Sequence, residues 1–279
     1  MLNLFKQLKS LNRQRITNRR NAIFYNELSN DFDRGPLQLD TLKCFVAKTD
    51  SFTERLKASS KFAVYSTFFG ASKTKTFNNA EIDSQFDHFF ISNNEHILEM
   101  AKAKGWLPIF LELPVSTNRV LSAQQSKVPK ALPHLFPALK HYDSLFYADD
   151  KIAFNAFKIY QLNELLIKEN RAVMIREHPS LVNNILNELA VAMIQPRYQA
   201  QRDQTVAYIE KQIKCGLELC VDRLFWTSAI LRNMNHIDTA LINEDWYAAI
   251  LDCGIECQIS FDFIAQKYSS IATLPQIII

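Results

Sequence analysis

Apolar positions along this chain follow two rhythms. Short unbroken apolar runs alternate with stretches in which apolar residues recur every three or four positions. Phe62 to Phe69 is an apolar run closed by Gly70 and predicts a buried strand. Phe86 to Ile91 predicts a second, ending in the polar turn Ser92-Asn93-Asn94. Trp106 to Leu113 predicts a third, and Ser144 to Ala148 a fourth. Glu95 to Lys104, stopped by Gly105, reads as a short helix. Glu164 to Glu169, Val182 to Ile194 and Thr205 to Lys214 read as further helices, the second ended by Pro196 and the third by Gly216. Strands alternating with helices predict an α/β fold with a mostly parallel central sheet flanked by helices.

The N-terminal pattern is different. Leu4, Phe5, Leu8 and Leu11 recur at helical spacing among Lys6, Lys9, Arg13, Arg15, Arg19 and Arg20, and the first acid is Glu27. Residues 1–28 therefore read as a basic amphipathic helix, and Asp31 to Pro36 as a polar break. Residues 1–58 form a basic helical N-terminal extension in this reading, and 59–279 the main domain. The helix suits two tasks: a solvated face packed on the main domain, or peripheral contact with an anionic membrane surface.

Composition narrows the chemistry. Forty-eight per cent hydrophobic residues and 20 Phe supply a large core for a 279-residue chain. Only five glycines are present, and neither G-x-G-x-x-G nor a G-x-x-x-x-G-K-[ST] loop occurs, which argues against the Gly-rich nucleotide sites. A net charge of +3 does not point to nucleic acid. Five cysteines, an odd number in a chain that needs no staples, fit a reducing cytoplasm. Cys253-x₃-Cys257 lacks a second pair at ligand spacing, so zinc is not expected. The interrupted apolar N-terminus does not read as a signal peptide, and no run has the length of a membrane span. A cytoplasmic protein is expected, and the peripheral-contact reading of the N-terminal helix would set it on the inner face of the membrane.

The candidate chemistry centres on Lys127 to Ile152. A proline-punctuated basic segment with Lys127, Lys130 and His134 leads into the apolar run Leu145 to Ala148, which ends on Asp149 and Asp150. Carboxylates at the C-terminal end of a buried strand are placed as in an α/β active site. They suit Mg²⁺ or Mn²⁺ bound together with phosphate oxygens. They equally suit a helix cap or turn. Upstream cations reach a phosphate or simply face water. Gln204 and Tyr208 share a helix face, with Glu188 on the preceding helix; each fits a sugar hydroxyl or plain solvent. Asn243 to Trp246 offers the acids Glu244 and Asp245 beside an aromatic ring, or else a capped helix with Asn243 as cap and Trp246 in the core.

In order along the chain, these signals resemble a glycosyltransferase-like family of plant cell-wall, mucilage and turgor-regulation proteins and bacterial relatives. The resemblance covers most of residues 60–268. It is carried by Phe68-Phe69-Gly70, Ile91-Ser92-Asn93, Gly105-Trp106, Lys127 through Lys130 to Pro133-His134, Asp149, His178 and Glu188, Gln204 and Tyr208, Arg232, Trp246, and Gln258 to Phe261. It implies a GT-A-like fold and transfer of a sugar from a nucleotide-sugar donor to a glycan or lipid-linked acceptor in polysaccharide or surface-glycan assembly. The donor would lie near Phe69, Gly70, Asn93, Lys127, Lys130, His134 and Asp149. His178, Gln204, Tyr208, Arg232, Trp246 and Gln258 would face the acceptor. Glu188 and Asp245 are the candidate bases, and Asp149 with Asp150 the candidate ligands for Mn²⁺ or Mg²⁺. The chain departs from the family pattern at several points. Ala71 to Thr74 holds no acid, Asn93 and Cys257 stand at family Asp positions, Lys127 stands at an Arg and Met234 at a His. These departures also fit a second function, a non-catalytic glycan- or partner-binding protein on a degenerate glycosyltransferase fold.

Overall fold

The computed structural model describes residues 61–73, 77, 82–180 and 183–275. The basic extension, residues 1–58, and Cys44 lie outside the described residues.

Seven strands form one sheet: β1 (Phe62–Thr67), β2 (Asp87–Ser92), β3 (Leu107–Phe110), β4 (Ser144–Ala148), β5 (Val173–Glu177), β6 (Phe225–Asn233) and β7 (Ile271–Leu274). Their order is β3-β2-β1-β4-β6-β5-β7. All neighbouring pairs are parallel except the two that β6 makes, with β4 and β5. The α/β class and the mostly parallel sheet expected from the sequence are thus present, with one reversed strand inside.

β1 is buried along its whole length, and its side chains sort by the two-residue period of a strand. Ala63 and Tyr65 enter the core on one face, and Phe62 and Val64 that on the other. β4 repeats the pattern, with Leu145 and Tyr147 on the first face and Phe146 and Ala148 on the second. Burial on both faces explains why these strands appear as unbroken apolar runs.

Helices cover both faces. α1 (Glu95–Ala103) and α3 (Ala156–Lys168) pack Ile97, Ala101, Ile159 and Leu166 on the second face. On the first face lie α2 (Arg119–Ala131), α4 (Ile185–Ala192), α6 (Arg202–Lys214), α7 (Ile237–Cys253) and α8 (Cys257–Ala265), with the one-turn α5 (Pro196–Gln199) beside them. Asn side chains at 94, 118, 155 and 184 accept backbone N–H bonds and start α1, α2, α3 and α4. α7 begins at His236, so Asn243 lies inside that helix and is not its cap, while Trp246 is fully buried as the core alternative anticipates. The helix expected over Val182 to Ile194 is the shorter α4, because Asn184 caps it.

The polar anchor of this arrangement is Arg232 on β6, 1% exposed. Its Nε donates to Asn243 Oδ1 at 2.9 Å, Nη1 to Tyr65 OH at 2.9 Å, and Nη2 to the Lys130 carbonyl at 2.8 Å. The Lys130 carbonyl is among the last four of α2, which have no partner within the helix. A buried cation there faces the negative end of the helix dipole. Arg232→Met would remove three buried hydrogen bonds and leave Tyr65 OH and the Lys130 carbonyl only their long 3.5 Å bond to each other, and we expect a loss of about 3–5 kcal/mol in stability, measured by urea unfolding.

Candidate active site

Strand order sets where a site can form. The chain leaves β1 toward β2 on one side, and β4 joins β1 on the other, so connections diverge between β1 and β4. A crevice opens beyond the C-terminal ends of strands at such a point, and ligands of open α/β sheets bind there. A cleft of about 620 Å³ occupies this place. Thr67 to Ser72 follow β1 into it, Tyr147 and Asp149 to Ile152 follow β4, and Ser116 to Lys130 supply residues from the start and one side of α2.

Gly70 has φ +123°, and a Cβ there would stand 3.0 Å from Ser122 Oγ. Only glycine adopts this conformation without strain. Its N–H donates to Asn93 Oδ1 at 3.2 Å, and Asn93 Nδ2 donates to the Pro114 carbonyl and Gln125 Oε1. Asn93 therefore holds the loop from behind, only 2% exposed, and does not line the cleft.

Asp149 is the most constrained acid. Its Oδ1 accepts from Tyr147 OH at 2.5 Å and from Lys130 Nζ at 3.1 Å. The Lys130 ammonium also lies 5.1 Å from the centre of the Tyr147 ring. Burial would raise the Asp149 carboxyl, but Lys130, Lys127 and the Tyr147 hydrogen bond together hold it below the usual carboxylate range. Burial likewise works to lower the Lys127 ammonium, yet Cys257, Asp149 and Glu256 outweigh it and leave its pKa raised. Arg119, Lys127, Lys130, Lys151 and Arg197 line the cleft against Asp149 and Asp150. Ser228 on β6 contributes a buried hydroxyl that has no hydrogen-bond partner among the described residues. A register shift between β5 and β6 frees this stretch of β6, and Trp226 and Ser228 turn into the cleft.

The donor set fits a divalent cation poorly. The Asp149 oxygen already accepts from an ammonium and a phenol, and cations outnumber acids in the lining. Among the described residues no group of three or more His, Cys, Asp or Glu is placed to hold a metal.

A second cluster adjoins this wall. Glu188, 6% exposed, has Oε2 3.7 Å from His178 Nε2. His178 Nδ1 accepts from the Ser180 N–H, so the proton of the neutral ring sits on Nε2 and faces Glu188. Burial, then the nearby charge of Glu256, push the Glu188 carboxyl up to about 7, opposed by a hydrogen bond from Gln258. Burial also raises Glu256 and Asp262. Burial and then Arg176 hold His178 below its ordinary value. The cluster meets the cleft in two ways: the His178 ring packs 5.8 Å from Trp226, and Glu256 is close enough to both Glu188 and Lys127 for their charges to interact.

The structure thus brings Phe69, Gly70, Lys127, Lys130, Asp149 and Asp150 into one cleft. His178, Glu188 and Gln258 gather beside it. Other sequence candidates lie elsewhere. His134 packs on α7, receiving Asn243 Nδ2 at Nδ1 and standing 3.5 Å from Glu244. Arg232 is the core anchor. Trp246 is core and donates to the Cys257 carbonyl; Tyr208 is core as well. Gln204 is exposed and donates to the Leu251 carbonyl, and exposed Asp245 accepts from Tyr268 OH. Sequence reasoning missed Tyr147, Arg119, Arg197, Tyr198, Trp226, Ser228 and Glu256. Tyr147 had a signal, since it precedes Asp149 by two and shares its face of β4.

No protein-family model and no curated protein matches the chain. Among solved structures it is similar to mouse xyloside xylosyltransferase 1 in its apo form, at 11% identity and TM-score 0.46, covering 76% of this chain and 84% of that one. It is also similar to the apo bifunctional glycosyltransferase WbbM, at 12% identity and TM-score 0.42, over 78% of this chain and 39% of that one. The mannosyltransferase Ktr4p from S. cerevisiae aligns at 10% identity and TM-score 0.38, over 89% and 84%.

Two outcomes follow. Gly70→Ala forces a strained backbone and a close contact, so it should lower stability by about 1–3 kcal/mol in thermal or urea unfolding. Glu188 titrates near 4.5 when unfolded and about 7 when folded, so the folded chain holds the extra proton between these values. The stability this confers is full below about 4.5 and is lost as pH rises through about 7. Glu188→Gln should flatten that decline, by about 3 kcal/mol at most, in unfolding measured across this window.

Proposed function

We propose that this protein is a glycosyltransferase that takes its sugar from a nucleotide-diphosphate donor. The observation that carries this reading is the cationic cleft at the β1–β4 divergence, of a volume suited to a small-molecule site. Sugar transfer breaks the bond between the anomeric carbon and a diphosphate oxygen, and the electron pair leaves with the diphosphate. Fixed cations aimed at that developing charge stabilise the transition state. Lys127, Lys130, Arg119 and Arg197 supply them. Tyr198 and Trp226 offer aromatic faces to the base or the sugar ring.

The acceptor hydroxyl forms the new bond to the anomeric carbon and gives up its proton. In inverting transfer Glu188 takes that proton. A carboxylate with a pKa near 7 has the basicity a general base needs at neutral pH. His178, held as the Nε2–H tautomer, orients it. Asp245 is the weaker candidate, being exposed and paired with Tyr268. A glycan or lipid-linked acceptor is in keeping with the family resemblance, and a basic segment at residues 1–28 would dock the enzyme near a lipid-linked one.

Thermal-shift measurements with UDP- and GDP-sugars test the donor class, and stabilisation by at least one is expected. Glu188→Gln should lower kcat by about 10²–10⁴-fold, leave donor KM nearly unchanged and remove an acidic limb near pH 7. No stabilisation by any nucleotide, together with unaltered donor hydrolysis in Lys127→Met, would overturn the assignment.

A further inference from the structure

We propose that this cleft neutralises the diphosphate with fixed side-chain cations alone, and that Asp149 serves as the counter-ion that positions Lys130 and not as a ligand for a divalent ion. The inference rests on the nucleotide-diphosphate reading above.

Three observations converge on it. First, Asp149 Oδ1 already accepts from Lys130 Nζ at 3.1 Å and Tyr147 OH at 2.5 Å. A dication bound to that carboxylate would sit within a few ångströms of an ammonium that is itself buried, and like charges at such separations repel strongly outside bulk water. Second, five cations and two acids line the cleft, a net of +3 (5 − 2). A bare diphosphate matches that field, whereas its complex with a divalent ion carries two fewer negative charges. Third, Ser228 is a lining residue whose buried hydroxyl has no hydrogen-bond partner among the described residues, a donor left over beside the cleft.

Lys130 is prepared for this task. Its carbonyl is fixed by Arg232 and its ammonium is held between Asp149 and the Tyr147 ring, so little side-chain freedom remains to lose on binding. Asp149 keeps the ammonium aimed. It also weakens anion binding slightly by its own charge.

The Asp149→Asn variant separates the two roles by sign. The experiment is calorimetric titration of the full chain with pyrophosphate and with UDP and GDP, in EDTA and then with Mn²⁺ or Mg²⁺. Expected are affinities unchanged within about twofold by metal, and Asp149→Asn binding as well as or about two- to tenfold more tightly than the parent. Lys130→Met should lose about tenfold or more, with no restoration by Mn²⁺. Lys127→Met, at a half-buried position, is expected to lose affinity in the same way and serves where Lys130→Met fails to fold, as judged by circular dichroism. Affinity that appears only with metal and vanishes in Asp149→Asn would overturn the inference while leaving the donor reading intact. Absence of binding by pyrophosphate and both nucleotides, with and without metal, would remove the donor reading and the inference together.

Discussion

The arrangement depends on one guanidinium. Arg232 is buried without a carboxylate partner, a placement that is costly unless every donor is directed. The compensation comes from the end of α2, whose carbonyl at Lys130 accepts from it, and from Tyr65 and Asn243. Three elements far apart in sequence, β1, α2 and α7, are tied to β6 through one planar group. The consequence at the cleft is direct, because the residue whose carbonyl is held is the same one whose ammonium reaches Asp149.

Topology and charge then do separate work. Divergence of the chain at β1 and β4 opens the crevice, and the reversal of β6 brings its beginning, Trp226 to Ser228, to the edge where the parallel strands end. The lining is supplied by loops, the ends of β1, β4 and β6, α2 and α5, and it is cationic although the whole chain carries only +3. Local concentration of charge, and not net charge, is what an anion entering the cleft meets. The acids that the cleft does not expose are gathered at Glu188, Glu256 and Asp262, where burial makes protonation easier.

Four strands of the seven-stranded sheet were legible in the sequence, β3 lying inside the run Trp106 to Leu113. β1, β2 and β4 appear as apolar runs because both of their faces are covered, and α1 ends at the Lys104-Gly105 turn that the sequence marks. β6 was hidden because it buries Thr227, Ser228, Arg232 and Asn233, which read as polar interruptions. α7 was hidden because it is packed on several sides, so its apolar residues do not keep to one stripe. α2 looked like a broken segment, since Pro129 lies inside its last turn and Gln125 and Lys130 are buried. The site was readable where chemistry sits on a strand end or in a turn, as at Gly70, Lys127, Lys130 and Asp149. It was unreadable where tertiary packing decides exposure. Trp246 and Tyr208 have the residue types of a sugar site and are core, whereas Arg197 and Tyr198 gave no local signal and line the cleft.

The span of the Arg232 contacts has a consequence for how the molecule comes into being. Its hydrogen bonds reach back 102 residues to Lys130 and 167 to Tyr65. A nascent chain that has emerged only through β4 holds an α2 end and a Tyr65 hydroxyl closed by one long bond of 3.5 Å between them, without the guanidinium that joins them to β6. The cleft is therefore completed late in synthesis, when β6 inserts between β4 and β5, and long-range pairing of this kind is slow because the intervening loop must first be ordered. Until then the basic face of α2 is held only by β1, the Asn93 loop and Asp149, and that interval is when a chaperone or a misplaced anion would find it open.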